Sequence, residues 1–452
     1  MGELPLKVYV SGSELLEIDE LRARVAQLEN IVEQQRKKIA QLEEMLKANL
    51  KPEPPPFAKP NLHHENKPPG QKEGHEGTTR PLPEKFDEEK TLSLEKCPEC
   101  GTEVSPPVET REHVVEDIIP ARVVVKKYLI TRHYCAKCRK LVELKPTDVF
   151  PNCRFGLNLC VLILILRMIA LPINKIQSIL GTLFSLEMSS ATVENILYRC
   201  ADEFDGKYNE IFEEVRRAGN VNADETGSRV NGENWWLWVF VTKAAALYKI
   251  EHSRGRKVVE ETLGKNFKGV LSSDSYNAYE SLDCGKQKCL VHYLREIKKW
   301  EEKFSKKGEY SKFARKTKKV LKGSIQAHKK LKSKSGRLKA KERFEAQFRR
   351  IYSKEYENPE INRMNKNFRR HANENFTFLA VEGVEPTNNE AERAVRPYVV
   401  MRKISGSHRS EKGTRVCERL LSIYRTSQLR GENFKDYATG YLEERLSGTS
   451  KP

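Results

Sequence analysis

The sequence predicts a multidomain protein of mixed α+β class. Three features indicate this: a heptad repeat within the first 50 residues, two Cys-x-x-Cys pairs between residues 97 and 138, and an alternation of strand-like and helix-like patterns after residue 219. A length of 452 residues with 38% hydrophobic content is enough for several ordinary cores. A wholly disordered chain is therefore excluded.

The chain carries a large excess of positive charge. It has 81 Lys and Arg against 63 Asp and Glu, a net charge of +18, and residues 301–350 alone hold 19 basic and five acidic residues. This balance favours a polyanionic partner. No signal peptide opens the sequence, and the most apolar run, residues 159–166, is far shorter than the roughly 20 residues that span a bilayer. We therefore expect a cytoplasmic protein whose cysteines are thiols or metal ligands.

Residues 14–48 are predicted to form a coiled coil. β-branched residues at the first heptad position and Leu at the second favour a parallel pair of helices, so we expect a homodimer or higher oligomer. A single amphipathic helix lying on its own domain is the alternative. The heptad positions are Ile18, Val25, Val32, Ile39 and Leu46 for the first and Leu21, Leu28, Gln35 and Leu42 for the second.

A Pro-rich linker, residues 49–92, is followed by a predicted zinc module at residues 93–142. Cys97 and Cys100 form one Cys-x-x-Cys pair, and Cys135 and Cys138 form another, on either side of a β-rich stretch at residues 114–133. Four thiolates in two such pairs suit a closed tetrahedral zinc site. Redox chemistry is the alternative, but neither pair has a thioredoxin-like βαβ context. Cys289 and His292 supply only two ligands, too few for a second zinc site.

Residues 143–218 are predicted to be helical. One helix covers residues 172–184, and Ser189 or Ser190 can cap a second helix at residues 191–199. Two short helices across a tight turn indicate a helix-turn-helix-like DNA-binding domain, although ordinary helical bundles contain the same pattern.

Residues 219–440 give the order of elements of an RNase H-like sheet. Strands are predicted at residues 220–223, 235–242 and 245–250, then a helix at 255–263 and a fourth strand at 269–273. In that topology the first and fourth strands are parallel neighbours. Asp224 and Asp274 would then lie about 5 Å apart, one ladder spacing. Each Asp alone is more often a turn former.

Two carboxylates this close repel each other unless a cation lies between them. Mg²⁺ takes oxygen ligands and can bind phosphate at the same time, which indicates phosphodiester chemistry. A third carboxylate is expected from a helix that begins near residue 388. Glu390 stands three residues after Thr387, the spacing of a capping box, so Glu392 is the candidate ligand. A solvated salt-bridge face is the alternative for Glu392.

These motifs resemble the insertion sequence 66 type of DDE transposase over nearly the whole chain. The resemblance rests on the coiled coil, the double Cys-x-x-Cys and short motifs at residues 70–75, 223–226, 273–276, 289–292, 388–393, 396–397 and 402–403. It implies that Asp224, Asp274 and Glu392 are a catalytic triad of carboxylates that binds Mg²⁺ or Mn²⁺. The chain departs from many relatives at Thr387, where they carry Asp, and at Phe434, where they carry Pro.

We therefore expect a dimeric, zinc-containing, nucleoid-associated DNA transposase that cleaves the 3′ ends of an element and joins them to target DNA. Its partners would be the terminal repeats, target DNA and possible accessory proteins of the same element. A basic helical insertion at about residues 296–380 is expected to follow DNA phosphates. The predicted phosphate contacts are Arg393, Arg396, Lys316, Lys318, Lys319, Lys329 and Lys330. The alternatives are an RNase H-like nuclease or resolvase that does not join strands, and a non-catalytic DNA-binding regulator.

Overall fold

The structure is a computed structural model of the chain. It describes residues 12–49, 84–85, 87–96, 98–107, 109–116, 122–304 and 308–448. The chain divides into two compact units, Met1–Asp117 and Ile118–Pro452. Each unit is described separately.

The first unit contains one long helix, α1 (Gly12–Asn49). Its 38 residues correspond to a length of about 57 Å at 1.5 Å per residue. Side chains 20–39 are all exposed, including the heptad residues Leu21, Val25, Leu28, Val32 and Ile39. The helix covers the predicted segment 14–48, and pairing of two such helices stays a prediction.

The second unit begins with a small hairpin and continues with four helices, a five-stranded sheet and further helices. The hairpin is β1 (Arg132–Cys135) and β2 (Lys140–Glu143). The four helices are α2 (Leu157–Met168), α3 (Ile173–Phe184), α4 (Ser190–Glu203) and α5 (Asp205–Arg217). The sheet and its crossover helix are β3 (Asn220–Val230), β4 (Glu233–Val241), β5 (Ala246–Glu251), α6 (Arg256–Leu263), β6 (Val270–Ser273) and β7 (Gly285–Lys288).

Helices make up the remainder of this unit. They are α7 (Leu290–Glu301), α8 (Glu309–Lys330), α9 (Lys334–Tyr352), α10 (Pro359–Arg370), α11 (Asn389–Ser405), α12 (Glu411–Leu429) and α13 (Phe434–Gly448). Within the residues described, no helix is both long and apolar enough to cross a lipid bilayer.

The sheet has the strand order β5-β4-β3-β6-β7. β3, β4 and β5 are antiparallel, whereas β6 runs parallel to β3 and β7 runs parallel to β6. Asn231 and Gly232 form the β3–β4 turn with positive φ angles of 48° and 83°, the conformation of a tight hairpin turn. The predicted first strand, 220–223, is too short: β3 pairs with β4 as far as Val230, so Asp224 lies inside a strand. β7 was not predicted.

The helices before the sheet share its hydrophobic core. One cluster of buried side chains runs from Phe150 through the sheet to Leu446, so the predicted domain boundary at residue 218 does not separate two cores. Ser189 caps α4 as expected, since its side chain accepts a hydrogen bond from the Thr192 N–H. α4 is longer than predicted. DNA contact by α3 and α4 stays a prediction.

The segment α7–α10 forms a second cluster of buried aromatic and aliphatic side chains, from Leu290 to Val384. It is inserted between β7 and α11, as expected for residues 296–380, and begins slightly earlier. The predicted β-rich stretch, 114–133, is largely wrong: of its described residues, only Arg132 and His133 lie in a strand. The residues between 122 and 131 pair with no strand in the described structure.

Candidate active site

The register of β3 and β6 ends two residues before Asp224 and Asp274. In the parallel pair of β3 and β6, Asn222 lies opposite Ser272, and two further residues along each chain lead to the two Asp residues. Asp224 Oδ1 accepts the Glu225 N–H at 3.0 Å, and Asp274 Oδ1 accepts the Tyr276 N–H at 2.9 Å. Both carboxylates are therefore fixed by the local backbone at one edge of the central strands.

The start of α11 is hydrogen-bonded to β3 and to Cys289, the residue that follows β7. Asn388 is buried, its Nδ2 donates to the Ala223 carbonyl at 2.7 Å, and its N–H donates to Cys289 Sγ at 3.2 Å. Asn388 is also the N-cap, and it makes no side-chain cap. The predicted capping box of Thr387 and Glu390 is therefore wrong, because contacts with the sheet define this helix end. They place Glu392 in the first turn, near Asp224.

The negative charges of Asp274 and Glu392 both act on Asp224. Burial, the adjacent Glu225 charge and then the Asp274 and Glu392 charges raise the pKa of Asp224 to about 7. Negative charge is therefore concentrated at this point, and a nearby cation would stabilise ionised Asp224. Carboxylate oxygens are the ligands that Mg²⁺ and Mn²⁺ prefer. The donor set thus fits a divalent cation in its chemistry, whereas the groups whose ligand atoms lie within 4.8 Å of one another among the described residues are Cys289, His292 and Glu392, and Glu280, His371 and Glu374.

Glu392 also lies beside Arg295 and His292 of α7 and beside Cys289, the residue before that helix. Arg295 Nη1 donates to Glu392 Oε1 and Nη2 donates to Oε2, both at 3.0 Å. His292 Nε2 lies 4.0 Å from Oε1. Potential ligand atoms of Cys289, His292 and Glu392 all lie within 4.8 Å of one another. Interaction with the Cys289 thiol raises the pKa of His292.

A second arginine, Arg254, contacts Glu225, the residue after Asp224. Arg254 donates to Glu225 at 2.7 Å through Nη2, and its guanidinium lies 4.4 Å from the centroid of Trp236 and 4.1 Å from that of Tyr276. The Glu225 carboxylate also accepts the Tyr279 hydroxyl. Glu225 is therefore committed to contacts with Arg254 and Tyr279.

The sequence profile described as the transposase IS66 family matches residues 153–416. This span covers more than half of the chain, including the sheet, the helical insertion and α11. The chain belongs to this family. No curated protein matches the chain.

The side chains predicted to contact phosphate differ in their exposure and in their partners. Lys316, Lys319, Lys329 and Lys330 are exposed on α8, and Arg393 and Arg396 are exposed on α11. Lys318 differs, because it is half-buried and its ammonium is bonded to Glu301. Contact of Lys318 with a DNA phosphate would therefore require it to leave Glu301.

The two predicted zinc knuckles of the transposase lie in different units. Around Cys100, Lys96 and Glu103 form an antiparallel bridge and Gly101 has φ +73°. Around Cys138, its N–H donates to Cys135 Sγ at 3.4 Å, which lowers the pKa of Cys135. Arg139 follows Cys138 with φ +53°, the counterpart of Gly101. Cys97 lies outside the described residues, so the four-cysteine site stays a prediction.

Sequence reasoning missed Arg295, Asn388 and Arg254 at this site. A partial signal exists for Arg295, since it follows His292 by three residues on α7 and helical spacing puts both on one face. Asn388 could be recognised only after the helix start was known. Arg254 had no signal, because its partner Glu225 is 29 residues away.

Proposed function

We propose that the chain is a DDE-type DNA transposase, a polynucleotidyl transferase that cleaves the 3′ ends of its element and transfers them to target DNA. The observation that carries this is the register of β3 and β6, which ends two residues before Asp224 and Asp274, together with the bond from Asn388 to Ala223 that ties the start of α11, and so Glu392, to β3. Family membership supports the class of activity. The three carboxylates support metal-dependent cleavage and joining of phosphodiester bonds.

An RNase H-like fold is part of the proposal. Its support is the strand order, in which an antiparallel three-stranded meander is followed by a helical crossover to a strand parallel to the first. The parallel pairing of β3 and β6 would let the two distant Asp residues share one metal site. Such a pairing needs a crossover connection, and α6 provides it.

Asp224, Asp274 and Glu392 would hold Mg²⁺ or Mn²⁺. Bound there, divalent cations would make water or a hydroxyl more acidic and would neutralise charge on the attacking and leaving oxygens. In cleavage, a water oxygen forms a bond to phosphorus and the bond from phosphorus to the 3′ oxygen breaks. In joining, that 3′ oxygen attacks a target phosphate, and a target 3′ oxygen leaves as a hydroxyl.

The remaining parts of the chain support DNA handling. Exposed lysines of α8 and the exposed arginines of α11 offer charges for phosphates. The exposed apolar heptad positions of α1 suit a second copy of the same helix, which would bring two active sites to the two element ends. The left-handed residues after Cys100 and Cys138 suit a structural zinc site.

The test is a cleavage and joining assay. Purified full-length protein is incubated with Mn²⁺, labelled DNA ending in the inverted repeats found beside its gene, and a supercoiled target plasmid. We expect nicked 3′ ends and labelled, joined plasmid. Asp274→Asn and Glu392→Gln should each reduce both products by about 10³-fold or more, while retaining the thermal unfolding profile.

Glu390→Gln is the matched control. It changes a carboxylate that is two residues before Glu392 on the same helix, and this carboxylate contacts Arg393 and not Asp224. It should leave both products within about twofold of the wild type. Cleavage without joining would favour the nuclease or resolvase. DNA binding without either product, and without an effect of Asp274→Asn, would favour the non-catalytic regulator.

A further inference from the structure

Both carboxylate oxygens of Glu392 are held by a single guanidinium. Arg295 makes two parallel hydrogen bonds to them, each 3.0 Å long. Such a fork is the strongest form of a carboxylate–arginine pair, because it combines two charge-assisted bonds with planar matching. Glu392 is the more buried partner, with 21% of its side chain exposed against 56% for Arg295.

Arg295 is also part of the wider carboxylate cluster. Its pKa is raised first by the bond to Glu392, and the negative charge of Asp224 contributes as well. The guanidinium is therefore a fixed positive charge beside the proposed metal ligands. It occupies the lone pairs of Glu392 that face it, and a divalent cation on the same oxygens would meet a like charge.

We propose that Arg295 is a positioning residue. Before metal binds, its guanidinium holds Glu392 by two hydrogen bonds; when Glu392 becomes a metal ligand, the guanidinium releases it and binds a DNA phosphate. This inference rests on the proposed function, since it concerns the same carboxylate.

A phosphate is the partner that Arg295 can accept in exchange. It presents the same two-oxygen edge as a carboxylate, so the guanidinium can keep a bidentate geometry. The exposed side chain of Arg295 can reach solvent-borne DNA without unfolding its surroundings. Lys298 and Lys299 follow in the last turn of α7, which puts further positive charge along the same helix.

The exchange makes metal binding and DNA binding favour each other. Metal at Glu392 frees Arg295 for phosphate, and phosphate on Arg295 frees Glu392 for metal. Because such coupling is reciprocal, each ligand must raise the affinity of the other by the same factor.

The first experiment measures Mn²⁺ binding to the full chain by isothermal titration calorimetry without DNA. Arg295→Gln should bind Mn²⁺ about three- to tenfold more tightly, since it removes the two hydrogen bonds that hold Glu392 away from the metal. Arg295→Lys keeps the charge but cannot form the fork, and it should show at least half of that gain on a logarithmic scale. Unchanged affinity in Arg295→Gln would overturn the proposal. So would a gain in Arg295→Gln that is absent in Arg295→Lys, because net charge alone would then explain it.

Arg363→Gln is the matched control. Arg363 is 58% exposed, lies in the same helical segment and pairs with Glu296 at 2.9 Å and Glu360 at 2.8 Å. Its removal also breaks an arginine–glutamate contact and lowers the net charge by one. We expect Mn²⁺ affinity to stay at the wild-type value. A gain equal to that of Arg295→Gln would show a general charge effect and overturn the proposal.

The second experiment measures binding of a fluorescent DNA duplex by anisotropy with and without Ca²⁺, which takes the same oxygen ligands. Ca²⁺ should raise wild-type DNA affinity by about three- to tenfold, and Arg295→Gln should lose most of this increase. Equal increases in both proteins would overturn the proposal.

Asp224→Asn separates this inference from the proposed function. If Asp224→Asn abolishes Mn²⁺ binding and Arg295→Gln changes nothing, only the role of Arg295 fails. If Asp224→Asn leaves Mn²⁺ binding unchanged, the proposed function fails and the role of Arg295 fails with it.

Discussion

Asp224 is expected to destabilise the folded protein at neutral and alkaline pH in the absence of divalent cations. Its pKa rises from a usual value of 3.8 to about 7 on folding. Between these values the folded state holds the proton more tightly than the unfolded state, so the free energy of unfolding falls as pH rises. At about 1.4 kcal/mol per pKa unit, the full penalty above pH 7 is roughly 4 kcal/mol.

Asp224→Asn removes this penalty because an amide carries no charge. The gain in the free energy of unfolding should be about 1–2 kcal/mol at pH 5 and about 4 kcal/mol at pH 8. It is measured as the difference in unfolding temperature between variant and wild type, by differential scanning fluorimetry in buffer free of divalent ions. We expect the difference to be several degrees larger at pH 8 than at pH 5.

Asp202→Asn is the control, since it removes one negative charge from an exposed side chain on α4, away from the cluster. Mn²⁺ should raise the unfolding temperature of the wild type more than that of Asp224→Asn, because only the folded wild type offers the complete site. A gain for Asp224→Asn that is equal at both pH values, or larger at pH 5, would refute the proposed charge concentration around Asp224.

Three further predictions concern the other parts of the chain. Leu28→Glu should convert a dimer into a monomer of 52.1 kDa in light scattering, because like charges would face each other in the heptad seam; an unchanged mass would count against pairing through α1. Cys138→Ser should reduce the zinc content, measured by elemental analysis, from about one ion per chain to well below one. A zinc content equal to that of the wild type would show that Cys138 is not a zinc ligand. Replacing Lys316 and Lys319 by Gln should lower the slope of log DNA affinity against log salt by about one to two, whereas Lys318→Gln should change it less because of its contact with Glu301.

Much of the sheet could be predicted from sequence, because apolar strands and turn residues mark it locally. The order of β3, β4, β5, α6 and β6 was confirmed. The length of β3 was not predicted, since Gly227 and Arg229 are typical of loops rather than strands. Their backbone groups are satisfied by the partner strand β4, and Ser228 contacts Tyr398. Such long-range partners leave no local signal.

β7 was missed because its sequence contains no apolar residue. Lys288 is 1% exposed, and its ammonium is bonded to Glu280 while lying 3.6 Å from Glu374. Burial of a lysine is tolerated only with such partners, which come from other segments. The strand thus depends on contacts that its own residues do not predict.

Sequence motifs single out the three carboxylates of the candidate site but not the arginines beside them. Asp224, Asp274 and Glu392 each stand in a short motif, and their role as one site stays a prediction. Arg295 pairs with Glu392 across 97 residues, so its role follows only from tertiary structure. The start of α11 was misassigned for a related reason, because Asn388 bonds to β3 instead of capping its own helix.

The central claim is that three distant carboxylates form one site for divalent cations. A crystal structure of the full chain soaked with Mn²⁺ tests it through the anomalous signal of the metal. The account predicts a peak about 2.1 Å from carboxylate oxygens of Asp224 and Asp274, with Glu392 released from Arg295 and turned toward it. Mn²⁺ bound only elsewhere, such as beside Glu280, His371 and Glu374, would contradict the claim.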